Sequence, residues 1–497
     1  MNVHTDFHAQ AAKLKFESRA FIGGKFVNAV SGETFDTVNP ATGKVIAKVV
    51  AGTEADVNVA VRSARESFEK GSWSGMTPRE RKKILLRFAD IIEKNRDELA
   101  LIETLDCGKP INDAMSVDLP DSIETLRWHA EATDKIYDQM SPAPRDVVSM
   151  IVREPIGVVG AVIPWNFPLF VAMWKMAPAL AGGNSMVIKP AEQTSLSLLR
   201  MAALASEAGI PDGVLNIVPG MGPTAGRAIG MHMDIDCVSF TGSGEVGRYF
   251  LKYSAESNMK RIVLECGGKS PAIVMGDVKN LDPILENIAA GILFCQGENC
   301  SAGSRLIVQE GVKDRLLDEL KPVFKSWTVG DPLVTSTRIG AMIEEDHLKK
   351  VLSYIEIGKN EGAKIAHGGN QVLQKSGGSF VEPTIFDGVN NSMRIAREEI
   401  FGPVLSVITF KDETEAIKIA NDTNYGLAAS LYTENLNTAH RVAKSIRAGT
   451  VSVNCYSEGD FAVPFGGYKE SGFGGKDKGL AAHDQYTETK SIWIQLR

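Results

Sequence analysis

Short apolar runs alternate with amphipathic helical patterns along most of this 497-residue chain, and that alternation is the tightest constraint on its fold. Strands separated by helices line up in parallel, with helices covering both faces of the sheet. Early in the chain, Asp56 to Phe68 and Pro78 to Leu105 place apolar residues at three- and four-residue spacing, the second helix entered through Met76-Thr77-Pro78. A first series follows, with strands at Ile156 to Ile163, Asn184 to Lys189, Val214 to Val218, Cys237 to Phe240, Ile262 to Glu265 and Ala272 to Met275, and a helix at Ser195 to Ala208. A second series has strands at Ser304 to Val308, Leu405 to Phe410, Ala429 to Tyr432 and Thr450 to Val453, with helices at Glu413 to Asp422 and Asn437 to Ile446. Two α/β domains are therefore expected. Val147 to Arg153 and Ser491 to Leu496 fit neither series and read as edge strands. Such edges need a cover, either a sheet extension within the chain or a partner subunit.

Charge narrows the partners. There are 54 basic against 61 acidic residues, a net of -7, which disfavours a nucleic-acid partner. Ile156 to Trp174 carries no charge, but Pro164, Asn166 and Pro168 at its centre would leave backbone groups unpaired in lipid, so no membrane span is expected. Six cysteines in no ligand-like spacing point to reduced thiols, a cytoplasmic setting and no metal site. The start, Met1 to Asp6, shows no basic-then-apolar leader pattern.

Several segments carry chemistry. Gly242-Ser243-Gly244-Glu245-Val246-Gly247 follows a strand and opens a helix, the setting of a dinucleotide fingerprint. Its glycines admit a pyrophosphate, and the helix N-terminus favours negative charge. Glu265 lies 18 residues past Gly247, where a fingerprint would have its ribose-binding acid. Followed by Cys266-Gly267-Gly268, it equally suits a general base at a strand end with room for a substrate. Lys189 and Glu192 flank Pro190 after another strand and can face a crevice at the strand carboxyl ends. Cys295 and Cys300 lie on a loop between an apolar helix and a strand, where a thiol can act as a nucleophile if a base or positive field ionises it. Asn166, in the rigid turn Pro164-Trp165-Asn166-Phe167-Pro168, can offer an amide to an oxyanion or satisfy its own turn.

Together these segments resemble the NAD(P)-dependent aldehyde dehydrogenase superfamily. The resemblance rests on seven collinear motifs: Pro164 to Pro168, Lys189 to Glu192, Phe240 to Glu245, Leu264 to Lys269, Gln296 to Cys300, Glu398 to Pro403 and Pro464 to Lys469. Val381 to Phe386 and Met393 to Glu398 are similar to the bacterial ω-aminoaldehyde branch, which includes the γ-glutamyl-γ-aminobutyraldehyde and 4-guanidinobutyraldehyde enzymes. The resemblance implies a Rossmann-like NAD-binding domain over residues 1–135 and 156–267, and an α/β catalytic domain over 268–470. It also implies small β oligomerisation segments at 136–155 and 480–497 and a homo-oligomer, dimer or tetramer. By position, it makes Cys300 the nucleophile, Glu265 the general base and Asn166 the oxyanion donor. Trp165, Gly242, Ser243, Gly247, Glu399 and Phe401 fall at the cofactor, with Lys189 and Glu192 on the adenosine ribose. Gly244, Asn299, Ser301 and His347 depart from the commoner residues at their positions.

The implied chemistry is oxidation of an aldehyde to the acid through a cysteine thiohemiacetal and thioester, with NAD favoured over NADP because Glu192 would repel a 2′-phosphate. Phe167, Phe170, Trp174, Phe294 and Phe465 fall where the family lines its substrate tunnel. Glu458 and Asp460, with Asp118 and Asp121, are expected to give an acidic mouth, widened by Gly459. That favours an ω-amino, γ-glutamylamino or guanidino aldehyde, with a broad aliphatic or betaine-aldehyde-type substrate as the alternative. A cofactor-free cysteine hydrolase and a catalytically silent homologue are the competing classes.

Overall fold

The computed structural model describes residues 6–497; residues 1–5, most of the start over which no leader pattern was expected, lie outside it. Helix Pro78–Lys94 begins in a capping box, in which Thr77 Oγ1 accepts from the Glu80 amide at 3.3 Å and Glu80 Oε2 accepts from the Thr77 amide at 2.8 Å. The single helix expected to Leu105 is instead two. Asn95 donates its side-chain amide to the Ile91 carbonyl at 2.8 Å, competing with the backbone ladder, and a new helix runs Arg96–Cys107.

Eight strands form the first sheet, in the order Lys25–Val27, Ala20–Ile22, Leu215–Ile217, Ser185–Lys189, Val158–Val162, Cys237–Gly242, Arg261–Cys266 and Gly472–Phe473. The five central strands are parallel and the edge pairings antiparallel. Val158–Val162 and Ser185–Lys189 are buried at every position, as strands covered on both faces must be. Helix Pro168–Ala181 is likewise buried throughout. A second, seven-stranded sheet runs Lys364–His367, Thr384–Asp387, Val404–Phe410, Arg305–Gln309, Pro271–Val274, Ala428–Tyr432 and Thr450–Val453. Pro271–Val274, expected to close the first series, belongs to this second sheet. Among the described residues no helix is long and apolar enough to cross a membrane, and all six cysteines are free.

The two orphan edge segments pair with each other. Thr487–Gln495 lies antiparallel along Val147–Pro155, from Thr487 opposite Pro155 to Gln495 opposite Val147, with Gln139–Met140 as a third strand. Within the chain, the sheet-extension reading is the one realised. The C-terminal stretch is also fastened to the first sheet. Asn184, fully buried, accepts from the Gly157 amide at 2.9 Å and donates to the Ala179 and Tyr486 carbonyls at 2.9 and 3.0 Å. Replacing Asn184 with Leu leaves the buried Gly157 amide unpaired and takes one of two donors from each of the Ala179 and Tyr486 carbonyls, which keep the Asn184 and Ile156 amides. With the lost amide bond alone worth about 1–3 kcal/mol, the midpoint of urea unfolding should fall below that of the wild-type protein.

Candidate active site

A cavity of about 670 Å³ lies where the carboxyl ends of the first sheet's parallel strands meet loops of the second half of the chain. Trp165 and Asn166 enter it from the turn after Val158–Val162, Gly242 and Ser243 from the end of Cys237–Gly242, and Glu265 from the end of Arg261–Cys266. Cys300, Glu399 and Phe401 reach it from the other side. Lys189, Glu192 and Gly247 are not in its lining. A methyl on Gly247 would sit 3.2 Å from Cys266 Sγ and 3.3 Å from Leu264 Cδ1. The bare backbone of Gly247, expected at the cofactor, lets helix Gly244–Glu256 pack onto the strand Arg261–Cys266.

The loop bearing the two cysteines is wound tightly. Helix Asp282–Leu293 ends in a turn in which Cys295, Gln296 and Gly297 have φ of 50°, 57° and 73°. A left-handed non-glycine residue costs roughly 1–2 kcal/mol, and two occur here in succession. Gln296 is held by the Gly340 amide at 3.3 Å and by Glu298, whose other oxygen accepts from the Ile343 amide at 3.0 Å. Gly297 has no alternative, because a methyl there would collide with the backbone of Gly402. The turn separates the two thiols. Cys295 Sγ is buried and points to the Asn166 carbonyl at 3.7 Å, whereas Cys300 Sγ lines the cavity and points to Asn299 Oδ1 at 3.8 Å. Burial, then the charges of Glu458, Glu399 and Glu265, push the Cys300 thiol well above its ordinary value, so at rest it is neutral.

Asn166 is pinned by one bond, its amide donating to the Glu298 carbonyl at 2.8 Å, which leaves its second N–H without a protein acceptor. Glu265 is buried, and neither carboxylate oxygen has a partner. Burial, reinforced by Asp477, raises its pKa well above the carboxylate range, against the pull of Lys175 and Lys476. It fits only because Gly466 stands opposite, where any side chain would strike Glu265 Oε1.

The Gly267-Gly268 pair was expected to leave room for a substrate. The room is filled by protein: a methyl on Gly267 would overlap the Glu399 carboxylate, and one on Gly268 would lie 2.6 Å from the Cys300 carbonyl. The Gly268 amide donates to Glu399 Oε1 at 3.0 Å. Lys189 Nζ donates to Glu192 Oε2 at 3.0 Å and to the Pro190 carbonyl at 2.8 Å, a preset pair at the strand end. His347 Nε2 is 2.7 Å from the Phe401 carbonyl and so carries the proton. Burial lowers its pKa to about 4, so it stays neutral and acts as a fixed donor, holding Phe401 in its left-handed conformation against Trp165.

Towards the mouth, Phe167 stacks on Phe294 at 5.9 Å, while Trp174 contacts Phe170 at 4.8 Å and Phe465 at 4.9 Å. All five line the cavity while packing as one apolar cluster. Glu458, Asp460 and Asp121 line it too. Asp118 does not: it is fully buried in an ion pair with Lys109, which sits over the Phe167 ring at 4.3 Å. The acidic mouth is thus smaller than expected, and it holds a cation that the sequence reading missed. Lys478 lies over the Trp174 and Phe465 rings, at 5.5 and 5.8 Å. Asn299, already marked within the Gln296 to Cys300 motif, lines the cavity too, as does Tyr456, which had no motif to signal a role.

A parallel-sheet protein with a buried thiol, a partnerless carboxyl and a half-engaged amide around one cavity has the make-up of an enzyme acting at an electrophilic carbon. The aldehyde dehydrogenase family matches residues 26–492, and the chain belongs to it, as an oxidoreductase acting on aldehydes. It is 54% identical over 489 residues to the aminoacetaldehyde dehydrogenase of Pseudomonas aeruginosa, covering 98% of each chain. It is 45% identical to the NADP/NAD-dependent aldehyde dehydrogenase PuuC of Escherichia coli, covering 100% of both. The NAD+ complex of an aldehyde dehydrogenase from Bacillus cereus superposes with a TM-score of 0.96 at 45% identity, covering 100% of each chain.

Two outcomes follow from the geometry. Iodoacetamide should modify Cys300 at a rate that climbs continuously from about pH 6 to about pH 9 with no plateau, since burial and the nearby carboxylates hold the proton on the thiol; a plateau near pH 7 would contradict the neutral resting state. Replacing Gly297 with Ala should unwind the turn and slow that modification, mapped on the Cys300 peptide, by about tenfold or more.

Proposed function

We propose that this enzyme oxidises an ω-substituted aldehyde with a cationic or polar tail to the carboxylic acid, with Cys300 as nucleophile, Asn166 as oxyanion donor and Glu265 as general base. The observation that carries the reading is the convergence of these three groups on one cavity with an aromatic throat and a carboxylate-bearing mouth. NAD is the cofactor, and the residues present suit it. Thr241 Oγ1 ends its strand buried without a partner, Glu399 is aimed across Gly267, and the Lys189–Glu192 pair waits at the neighbouring strand end. Glu192 would take ribose hydroxyls and repel a 2′-phosphate, which favours NAD over NADP.

Cys300 loses its proton and the sulfur attacks the aldehyde carbon. The resulting oxyanion meets the free Asn166 N–H and the Cys300 amide, each such donor worth about 3 kcal/mol. NAD, when bound, supplies the acceptor for the hydride that leaves this carbon. Glu265, as carboxylate, then takes a proton from water as its oxygen adds to the thioester, and the proton passes to the departing Cys300 sulfur as the acid is released. Its raised pKa makes it a stronger base than a solvated carboxylate, and its lack of partners leaves both oxygens free for water. The buried Lys175–Asp477 pair beside it, at 3.0 Å, is a fixed dipole that tempers its charge.

The tail preference draws on Glu458, Asp460 and Asp121 at the mouth and on the likeness to an aminoacetaldehyde enzyme. The domain assignment goes with this reading: 1–135 and 156–267 for the cofactor, 268–470 for catalysis. In the same reading, 136–155 and 480–497 join subunits; Trp493 and Ile494, 61% and 44% exposed on that small sheet, favour a homo-oligomer. Six free thiols favour the cytoplasm.

The test is NADH formation across a panel of aldehydes with NAD and with NADP. ω-Aminoaldehydes should give kcat/KM well above alkanals of equal length, and Asp460→Asn should narrow that ratio; equal values for both classes would overturn the tail assignment. Cys300→Ser should abolish oxidation. Glu265→Gln should lower kcat by about 10²- to 10⁴-fold while leaving one burst of NADH per site. Because both acids must lose protons that burial holds on, kcat/KM should rise with pH through neutrality and keep rising into the alkaline range.

A further inference from the structure

The steps above leave unused a chain of polar groups that starts at the nucleophile and ends at the mouth. Asn299 Oδ1 accepts from Cys300 Sγ at 3.8 Å and from the Ser301 amide at 3.2 Å. Asn299 Nδ2 lies 2.8 Å from Tyr456 Oη, Tyr456 Oη lies 2.8 Å from Ser301 Oγ, and Ser301 Oγ bonds to Glu458 Oε1. The Ser301 hydroxyl also lies 3.2 Å from Asn299 Oδ1, but its contact with Glu458 is shorter and charge-assisted, so its proton points to Glu458, the Tyr456 proton to Ser301 and the Asn299 amide to Tyr456. The two hydroxyls and the Asn299 amide then donate toward the mouth, and the amide oxygen, which also takes the Ser301 N–H, faces the thiol. Glu458 thus fixes the direction of both hydroxyl protons and polarises the amide at the far end of the chain.

Lys478 does not discharge Glu458. Its ammonium bonds to the backbone carbonyls of Glu458 and Gly459 at 3.2 and 3.3 Å and lies over two aromatic rings. Asp121 and Asp460 add negative charge at the mouth, while Glu265, Glu399, His347 and Lys350 face the cavity around the sulfur. Of these carboxylates, Glu458 acts most strongly against ionisation of Cys300.

We propose that Glu458, acting through Ser301, Tyr456 and Asn299, is a positioning residue that holds Cys300 as an S–H donor until a cationic substrate tail docks beside it. The tail's charge offsets Glu458, the amide oxygen loses its hold, and the thiol gives up its proton to solvent. A cationic tail therefore raises turnover as well as affinity. This rests on Cys300 being the nucleophile, as argued above.

The experiment follows iodoacetamide modification of Cys300, read on its peptide by mass spectrometry, at about pH 7, with n-butylamine or n-butanol as aldehyde-free stand-ins for the tail. In the wild-type enzyme butylamine should speed modification about threefold, the effect of roughly half a pKa unit, and butanol should not. Glu458→Gln should already be faster by a similar factor and unresponsive to the amine, whereas Glu458→Asp should retain part of the response. Tyr456→Phe, with Glu458 intact, should also lose it. The proposal is overturned if butylamine leaves the wild-type rate unchanged, if butanol matches it, or if Tyr456→Phe responds as the wild type does. Aldehyde oxidation by Cys300→Ser, measured separately, reports on the nucleophile assignment itself: retained oxidation would remove that assignment whatever the amine does.

Discussion

Everything at the site hangs on how closely the Glu399 carboxylate and the Cys300 carbonyl approach the backbone at Gly267 and Gly268. The strand Arg261–Cys266 delivers Glu265 and then, with no side chains in the way, lets Glu399 and the Cys300 carbonyl close in from the other half of the chain. Neither approach survives a Cβ. The two glycines therefore do structural work that joins the halves, and Glu265, Cys300 and Glu399 are brought together as a result of that junction. Glycine's conformational freedom matters less here than its lack of volume, since neither residue has a positive φ.

Desolvation then assigns the protonation states. The same burial that raises the pKa of Cys300, Glu265 and Glu399 lowers that of Lys189 and keeps His347 neutral. The resting site is therefore less ionised than its residue types imply. With the thiol neutral and the Glu265 pKa raised, the two groups share one cavity with little mutual repulsion at rest.

Much of this was legible in the sequence, for reasons that differ by element. The central strands read correctly because strands buried on both faces are continuous apolar runs, as in Ser185–Lys189. The break at Asn95 did not, because apolar spacing continues across it and only a side-chain bond ends the helix. The cavity residues Cys300, Glu265, Asn166 and Glu399 sit in compact motifs at strand ends and could be named. Lys478, Tyr456 and Asn299 matter through pairings with residues up to 304 positions away, such as Trp174, and no local pattern encodes those. Asp118 misled for the converse reason: its neighbour in space, Lys109, turns an apparent mouth acid into a core ion pair.

The strand Gly472–Phe473 edges a sheet whose other members lie between residues 20 and 266, and Asp477, Gln485 and Tyr486 complete contacts begun by Lys175 and Asn184. On a ribosome these pieces emerge hundreds of residues apart. The first sheet must therefore wait, with one edge bare and a lysine unneutralised, until nearly the entire polypeptide has been made. A contiguous N-terminal fragment would lack its own closing seam, so the half built on the first sheet is not a portable module that can be cut out and expressed alone.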